Sequence, residues 1–137
     1  MFENAKWVIT PIGGEIDERQ DILEGVIKAT GAEIVITTPE EHDKAVALIS
    51  HMPMVMAQAL CANIKDNKLA QILAASGFRD TTRLALSNTQ MAEDMVTLNG
   101  DNIKECIRTL NECLNSLLNG DYREKIEEIK TFRKNLY

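Results

Sequence analysis

The pattern of hydrophobic and polar positions divides the 137-residue chain into a short first part with strands and a long helical second part. Residues 7–10 and 33–38 are rich in β-branched side chains, which favour strands. Between them, residues 16–30 place apolar side chains on one side of a helix that stops at Gly31. This order predicts a βαβ unit with two parallel strands.

After this unit the chain follows helical periods to its end. Thr38 is expected to cap a helix, with Pro39 at the first helical position and Glu41 completing a capping box. This helix should run to residue 60 with a kink near Pro53, because proline has no N–H and breaks the helical hydrogen-bond pattern. Four more helices are predicted: about 66–75 before Gly77, one that begins at 80–82, an amphipathic helix over 101–119, and a charged last helix over 122–137.

Composition and charge narrow the class of protein. A hydrophobic fraction of 45% and a charged fraction of 26% are typical of a soluble globular chain. The net charge of -6 argues against a nucleic-acid or anionic membrane partner. No signal peptide is recognised and no apolar run is expected to approach membrane-spanning length, which predicts a cytoplasmic protein.

The three cysteines have no spacing typical of a zinc site, so no metal site is predicted. We expect them to be free thiols that are buried and pack like small apolar side chains.

A polar pair, Ser50 and His51, interrupts an apolar helical run just before Pro53. Since Pro53 cannot donate to the carbonyl of Ile49, polar groups at this point could face a cavity. One interpretation is a ligand site, and the other is a core histidine satisfied by a nearby carbonyl. The sequence leaves both open.

Arg79 and Arg83 are four residues apart and are expected on one helical face, with threonine hydroxyls between them. Two guanidinium groups suit a carboxylate or phosphate ligand, and the alternative is ion pairing at the surface with Asp80 or Glu93. The sequence contains no GxGxxG fingerprint, no P-loop and no catalytic Ser/His/Asp order.

Four segments occur in an order that resembles a known family. They are WVITP, GAEIV, EEHDKAVALISHMP and GFRDTTRLALSN, within nearly the first 95 residues. Together they resemble the C-terminal portion of prephenate dehydrogenase. The resemblance implies a mainly α fold, in which a 6-phosphogluconate-dehydrogenase-like helical bundle follows the end of a Rossmann-type sheet. Residues 1–38 would be the remnant βαβ edge of a nucleotide-binding domain, and residues 39–137 the helical dimerisation and substrate-binding domain.

The resemblance also implies roles for residues. Arg83 matches an arginine that binds a carboxylate of prephenate, and Arg79 matches a basic position beside the substrate. Ser50 and His51 match a segment that lines the pocket. The chain departs from the family pattern at Met54, where a second histidine is frequent, and at Ala92, where an aromatic residue is common.

The family is an oxidoreductase family of tyrosine biosynthesis that decarboxylates prephenate oxidatively with NAD or NADP. Its glycine-rich loop and catalytic histidine have no match here, so the resemblance implies no cofactor site and no catalytic residue in this chain alone. The expected role is homodimerisation and binding of prephenate, arogenate or tyrosine, without activity on its own. Three alternatives stay open: a regulatory dimer, a module that complements a separate nucleotide-binding subunit, and an inert remnant.

Overall fold

The computed structural model describes residues 2–13 and 18–136 and forms two compact units, Met1–Ile49 and Ser50–Tyr137. The predicted fold class is confirmed, since the described chain is mainly helical with a small parallel sheet. The predicted domain boundary between residues 38 and 39 stays a prediction.

The first unit contains the predicted βαβ arrangement. Strand β1 (Lys6–Ile9) pairs in parallel with strand β2 (Glu33–Ile36), and helix α1 (Glu18–Ala29) connects them. Gly31, with a φ of 80°, ends the helix in a conformation that favours glycine. The predicted start of this helix, at residues 16–17, lies outside the described residues.

Helix α2 (Pro39–Val46) begins as the sequence predicts. The Thr38 hydroxyl oxygen accepts from the backbone N–H of Glu41 at 3.1 Å, and Pro39 occupies the first helical position. The hydroxyl of Thr37 donates to the Glu41 carboxylate, which lowers the pKa of that carboxyl, with hydrogen bonds from Thr38 adding to the effect. The predicted capping box is therefore confirmed.

The distortion predicted near Pro53 takes the form of a wide helical turn rather than a simple kink. A π-helical turn covers Ala47–His51 and leads directly into helix α3 (Met52–Asn63). A proline ring clashes with the carbonyl four residues earlier and offers no N–H, and a wider turn accommodates both defects. Helix α3 ends three residues beyond the predicted end at residue 60.

The next stretch is more broken than predicted. Helix α4 (Lys68–Leu73), helix α5 (Ser76–Thr81) and a 3₁₀ turn (Arg83–Leu86) follow each other closely. Gly77 was expected to end a helix but lies inside α5. The prediction of one helix from residues 80–82 onward is wrong, because the backbone at Thr82, with φ -97° and ψ 11°, leaves the helical conformation.

Two helices complete the chain, α6 (Thr89–Leu118) and α7 (Tyr122–Leu136). The predicted helix over 101–119 is only the second part of α6, which bends at Asn99, where φ is -122° and ψ is 21°. Both α6 and the 3₁₀ turn pack against α3, and this packing forms the core of the second unit. Its buried residues are Met52, Met54, Ala57, Thr82, Asn99 and Ile103.

The helical run Pro39–Asn63 overturns one expectation from the sequence. Its 25 residues include an 18-residue window with a mean hydropathy of 1.6, so it is long and apolar enough to cross a membrane by length and composition. Residues 45–64 contain no Asp, Glu, Lys or Arg, which explains the value. One such helix is weak support for a membrane span, since helices of soluble proteins meet the same criterion of length and composition.

Candidate functional site

A short chain of polar side chains joins His51 to the bend of α6, and all of its members lie in the second unit. The Asn99 side-chain nitrogen lies 3.2 Å from Nδ1 of His51, and the Asn99 side-chain oxygen accepts from the Asn102 amide at 2.7 Å. The sequence interpretation of His51 as a histidine satisfied by a carbonyl is therefore replaced by an asparagine partner that lies 48 residues away in the chain.

Asn99 reaches His51 because α6 bends at this residue. Asn99 is one of two buried polar residues in the described part of the chain, and only 7% of it is exposed. Asparagine followed by glycine is a common turn signal, and the non-helical backbone at Asn99 fits that preference. The Asn99–Gly100 pair was the signal that sequence reasoning missed.

The π-helical turn places the other two candidates of this region. His51 is its last residue and is half-buried, whereas Ser50 is exposed. Insertion of a wide turn changes the phase of the side chains that precede α3, so the turn determines which direction His51 faces. His51 therefore lies between the packed core and the surface.

Arg79 and Arg83 occupy different elements. Arg79 lies in α5 with its side chain 80% exposed, and its Nε is 3.6 Å from Oδ1 of Asp80. Arg83 begins the 3₁₀ turn and is also exposed, with no ion pair to another described residue. The helical continuity on which their predicted common face rested is interrupted at Thr82, although the 3₁₀ turn packs against both α5 and α3.

The threonine hydroxyls between these arginines serve the backbone. Thr81 donates to the carbonyl of Gly77 at 2.8 Å, and Thr82 donates to that of Phe78 at 2.7 Å. Their protons are thus engaged within α5. The guanidinium groups, and not the hydroxyls, are the exposed donors of this segment.

The two departures from the family pattern differ in position. Met54 lies in α3, is buried with 3% exposed, and forms part of the core. Ala92 is half-buried in the first turn of α6. The Met54 side chain therefore fills space in the core and offers no polar group to a ligand.

An open cleft of about 540 Å³ lies at the bend of α6. It includes Asn99 and Asn102 but none of Ser50, His51, Arg79 and Arg83. Its lining comes from α3 and from the bend itself: Val55, Gln58 and residues 96–104. Asn99 thus faces this cleft and contacts His51 at the same time.

The sequence contains no GxGxxG fingerprint for a dinucleotide. Pro11 follows β1 after one residue, and the connection from there to α1 includes residues outside the described ranges. Within residues 2–13 and 18–136 no cluster of His, Cys, Asp and Glu could hold a metal ion. The expectation that the three free cysteines are buried is wrong, since Cys61 and Cys106 are half-buried and Cys113 is exposed.

Comparison with protein families supports the sequence resemblance directly. The family described as prephenate dehydrogenase, dimerization domain, matches residues 38–133. A prephenate dehydrogenase of Bacillus subtilis (strain 168) is 37% identical over 109 residues, which are 75% of this chain and 29% of that protein. The chain therefore spans less than a third of the length of this curated relative.

Solved structures show the same fold. The Synechocystis arogenate dehydrogenase has a TM-score of 0.73 at 34% identity, covering 98% of this chain and 50% of that one. The prephenate dehydrogenase from A. aeolicus, in complex with hydroxyphenyl propionate and NAD+, has a TM-score of 0.77 at 27% identity, with coverages of 98% and 48%. The described fold thus corresponds to about half of each solved chain.

Proposed function

The chain belongs to the prephenate dehydrogenase family, whose dimerisation domain it matches over residues 38–133, and from this premise we propose that it binds prephenate and forms a homodimer. In this role it is the C-terminal part of an NAD(P)-dependent oxidoreductase of tyrosine biosynthesis and has no activity alone. The observation that carries the proposal is the family match, which includes both the SHMP and the GFRDTTR segments.

Prephenate is a dicarboxylate, and the chemistry of the exposed donors fits such a ligand. Arg83 has an exposed guanidinium group without an ion pair among the described residues, and it would bind one carboxylate through two parallel N–H groups. Arg79, paired only loosely with Asp80 at 3.6 Å, would add positive charge beside it. Ser50 and His51 would supply neutral hydrogen bonds.

The oxidation itself would need groups beyond this chain. NAD or NADP accepts a hydride when bound, but the residues described here do not fit a dinucleotide, and we assign no step of the reaction to them. The proposed contribution of this chain is to bind and orient the substrate. We therefore expect the purified chain to show no oxidation of prephenate with either cofactor.

Homodimerisation is supported by the family match and by the apolar surface of the second unit. Large apolar side chains of α6 and α7 are exposed, among them Leu98, Leu118 and Phe132. A single small domain rarely leaves so many in water, and a second copy would cover them. Sedimentation should show a dimer at tens of micromolar, on the order of typical working affinities, and a monomer at that concentration would overturn this part.

We also propose a soluble, cytoplasmic location. The apolar run Pro39–Asn63 lies mostly inside the segment that matches the dimerisation domain, so packing against a second copy explains its composition without a membrane. Partition into the aqueous phase during detergent phase separation would support this location, and partition into the detergent phase would contradict it.

Calorimetric titration with prephenate tests substrate binding. We expect binding by the purified chain and a loss of at least about tenfold in affinity for Arg83→Ala, since a hydrogen bond to a charged group contributes about 1.5–3 kcal/mol. Arg123→Ala removes an exposed arginine from α7 and is the matched control. Equal weakening in both variants would overturn the role of Arg83. No binding by any of the three proteins would overturn prephenate binding by this chain and leave dimerisation as its role.

A second candidate is complementation of a separate nucleotide-binding subunit. It is favoured by the exposed apolar side chains of the βαβ unit, such as Trp7, Ile22 and Val26, which are 40%, 69% and 60% exposed. These side chains would be covered by further strands of the same sheet. Fusing to this chain the part of the Bacillus subtilis relative that this chain does not match should then restore NAD-dependent turnover of prephenate, and an inactive but folded and dimeric fusion would contradict it.

A further inference from the structure

The contact between Asn99 and His51 has a consequence for the ring nitrogen that His51 offers to a ligand. The Asn99 nitrogen is a donor only, so Nδ1 of His51, at 3.2 Å, is its acceptor. The opposite end of the same amide is fixed by Asn102, whose nitrogen donates to the Asn99 oxygen at 2.7 Å. Both hydrogen bonds therefore run in the same direction, from Asn102 to Asn99 and from Asn99 to His51.

A neutral imidazole carries one proton, and an acceptor at Nδ1 leaves that proton on Nε2. We propose that Asn99 is a positioning residue, which holds His51 in the tautomer whose Nε2–H is directed at the bound ligand. This inference rests on the proposed function, because it takes the ligand to be a carboxylate or hydroxyl oxygen of prephenate. Asn99 itself need not touch the substrate.

The burial and backbone of Asn99 support a positioning role. An asparagine in a helix interior is unfavourable unless its side chain finds specific partners, and here the helix bends at that residue. The side chain is almost fully buried and both of its polar ends have partners. Such a polar network orients its members more rigidly than a single surface hydrogen bond would.

The tautomer of His51 also determines which candidate groups carry charge and which only donate a hydrogen bond. In this tautomer His51 contributes a neutral donor, and the positive charge for a dicarboxylate comes from Arg79 and Arg83. A neutral donor suits a hydroxyl oxygen as well as a carboxylate, so His51 is suited to orient the ring of the ligand, while the arginines provide most of the affinity.

The chain is convenient for a direct test because it contains only two histidines. A long-range proton–nitrogen correlation spectrum of isotope-labelled chain reports which ring nitrogen is protonated. It should be recorded without ligand about two pH units above the ordinary histidine value of about 6.5. We expect His51 to show a protonated Nε2 and an unprotonated Nδ1. A protonated Nδ1 would overturn the proposal without any variant.

Two variants and a matched control separate positioning from a merely structural effect. Asn99→Asp can only accept a hydrogen bond, so it should move the His51 proton to Nδ1, and Asn102→Leu should give a mixture of tautomers. Asn111→Asp adds the same charge at an exposed site of α6 and should change nothing. An unchanged His51 pattern in folded Asn99→Asp would overturn the proposal, whereas the outcome of the prephenate titration has no bearing on this ligand-free spectrum.

Discussion

Two long helices of this chain are distorted, one at the π-helical turn Ala47–His51 and one at Asn99, and their causes differ. The first distortion is local, since Pro53 cannot continue an α-helix with the residues before it. The second depends on a tertiary contact, because Asn99 is buried against His51 and bonded to Asn102. The comparison shows that a proline can place a polar side chain at a site, but that a partner from another helix determines its orientation.

The largest effect is expected where packing supports the bend of α6. Ile103 lies one turn after Asn99 and is 4% exposed. Ile103→Ala should lower the free energy of unfolding by about 2–4 kcal/mol, because it leaves a cavity in the core. Chemical denaturation measures the loss, with the exposed Glu93→Ala as control at less than about 0.5 kcal/mol. Equal losses in both would show that packing around Ile103 does not stabilise the bend.

Removal of the polar partner itself should cost less. Asn99→Leu keeps a side chain of similar size but leaves the half-buried Nδ1 of His51 and the amide of Asn102 without their partner. We expect a loss of about 1–3 kcal/mol in the free energy of unfolding, the usual penalty for an unsatisfied buried polar group. A variant at least as stable as the wild type would mean that the network does not contribute to stability.

Replacing the proline tests the local cause. Pro53→Ala restores an N–H and allows an ordinary α-turn in place of the π-helical one. The change in stability should stay within about 1 kcal/mol, since the gained hydrogen bond offsets lost contacts. The same substitution should turn His51 away from Asn99 and abolish its fixed tautomer. A crystal structure that retains the π-helical turn would contradict the assigned cause.

The smallest effect is expected for the pKa of Glu41, which lies near the start of the helical run Pro39–Asn63 and before the π-helical turn. The Thr37 hydroxyl is the main cause of the lowered pKa of Glu41, so Thr37→Val should raise that pKa towards its ordinary value of 4.5. A lowered carboxyl pKa stabilises the fold above the unfolded value and loses this contribution as the pH falls through the folded value. The free energy of unfolding of the variant should therefore fall less than that of the wild type as the pH drops below about 4.5.

Carboxyl titration followed by nuclear magnetic resonance measures this shift in wild type and variant. The His51 ring should be unaffected, because the capping interactions precede the π-helical turn. A change in the His51 tautomer on Thr37→Val would show that the cap and the distortion are coupled.

Much of the fold could be predicted because its signals are local. The two parallel strands, the Thr38 cap and the final helix follow from side-chain patterns within a few residues. The distortion at Pro53 was also predictable in position, although proline alone does not distinguish a kink from a π-helical turn. These features require no knowledge of distant parts of the chain.

The features missed are those that depend on tertiary packing. The break at Thr82 coincides with the burial of this residue, whose hydroxyl donates to the carbonyl of Phe78, and helix propensity does not encode burial. The His51–Asn99 contact spans 48 residues, and the Asn99–Gly100 pair signals a turn without naming a partner. Among the candidate site residues, His51 is the one whose environment the sequence described least completely.

The most direct test of His51 as a contact of the ligand is its spectrum recorded as prephenate is added to the purified chain. If the site is built as proposed, the Nε2 resonance of His51 shifts with saturation, Nδ1 remains unprotonated, and the ring of His42 is unaffected. Saturation measured by calorimetry with no change at His51 would contradict the account, because prephenate would then bind somewhere other than beside the junction of the two distorted helices.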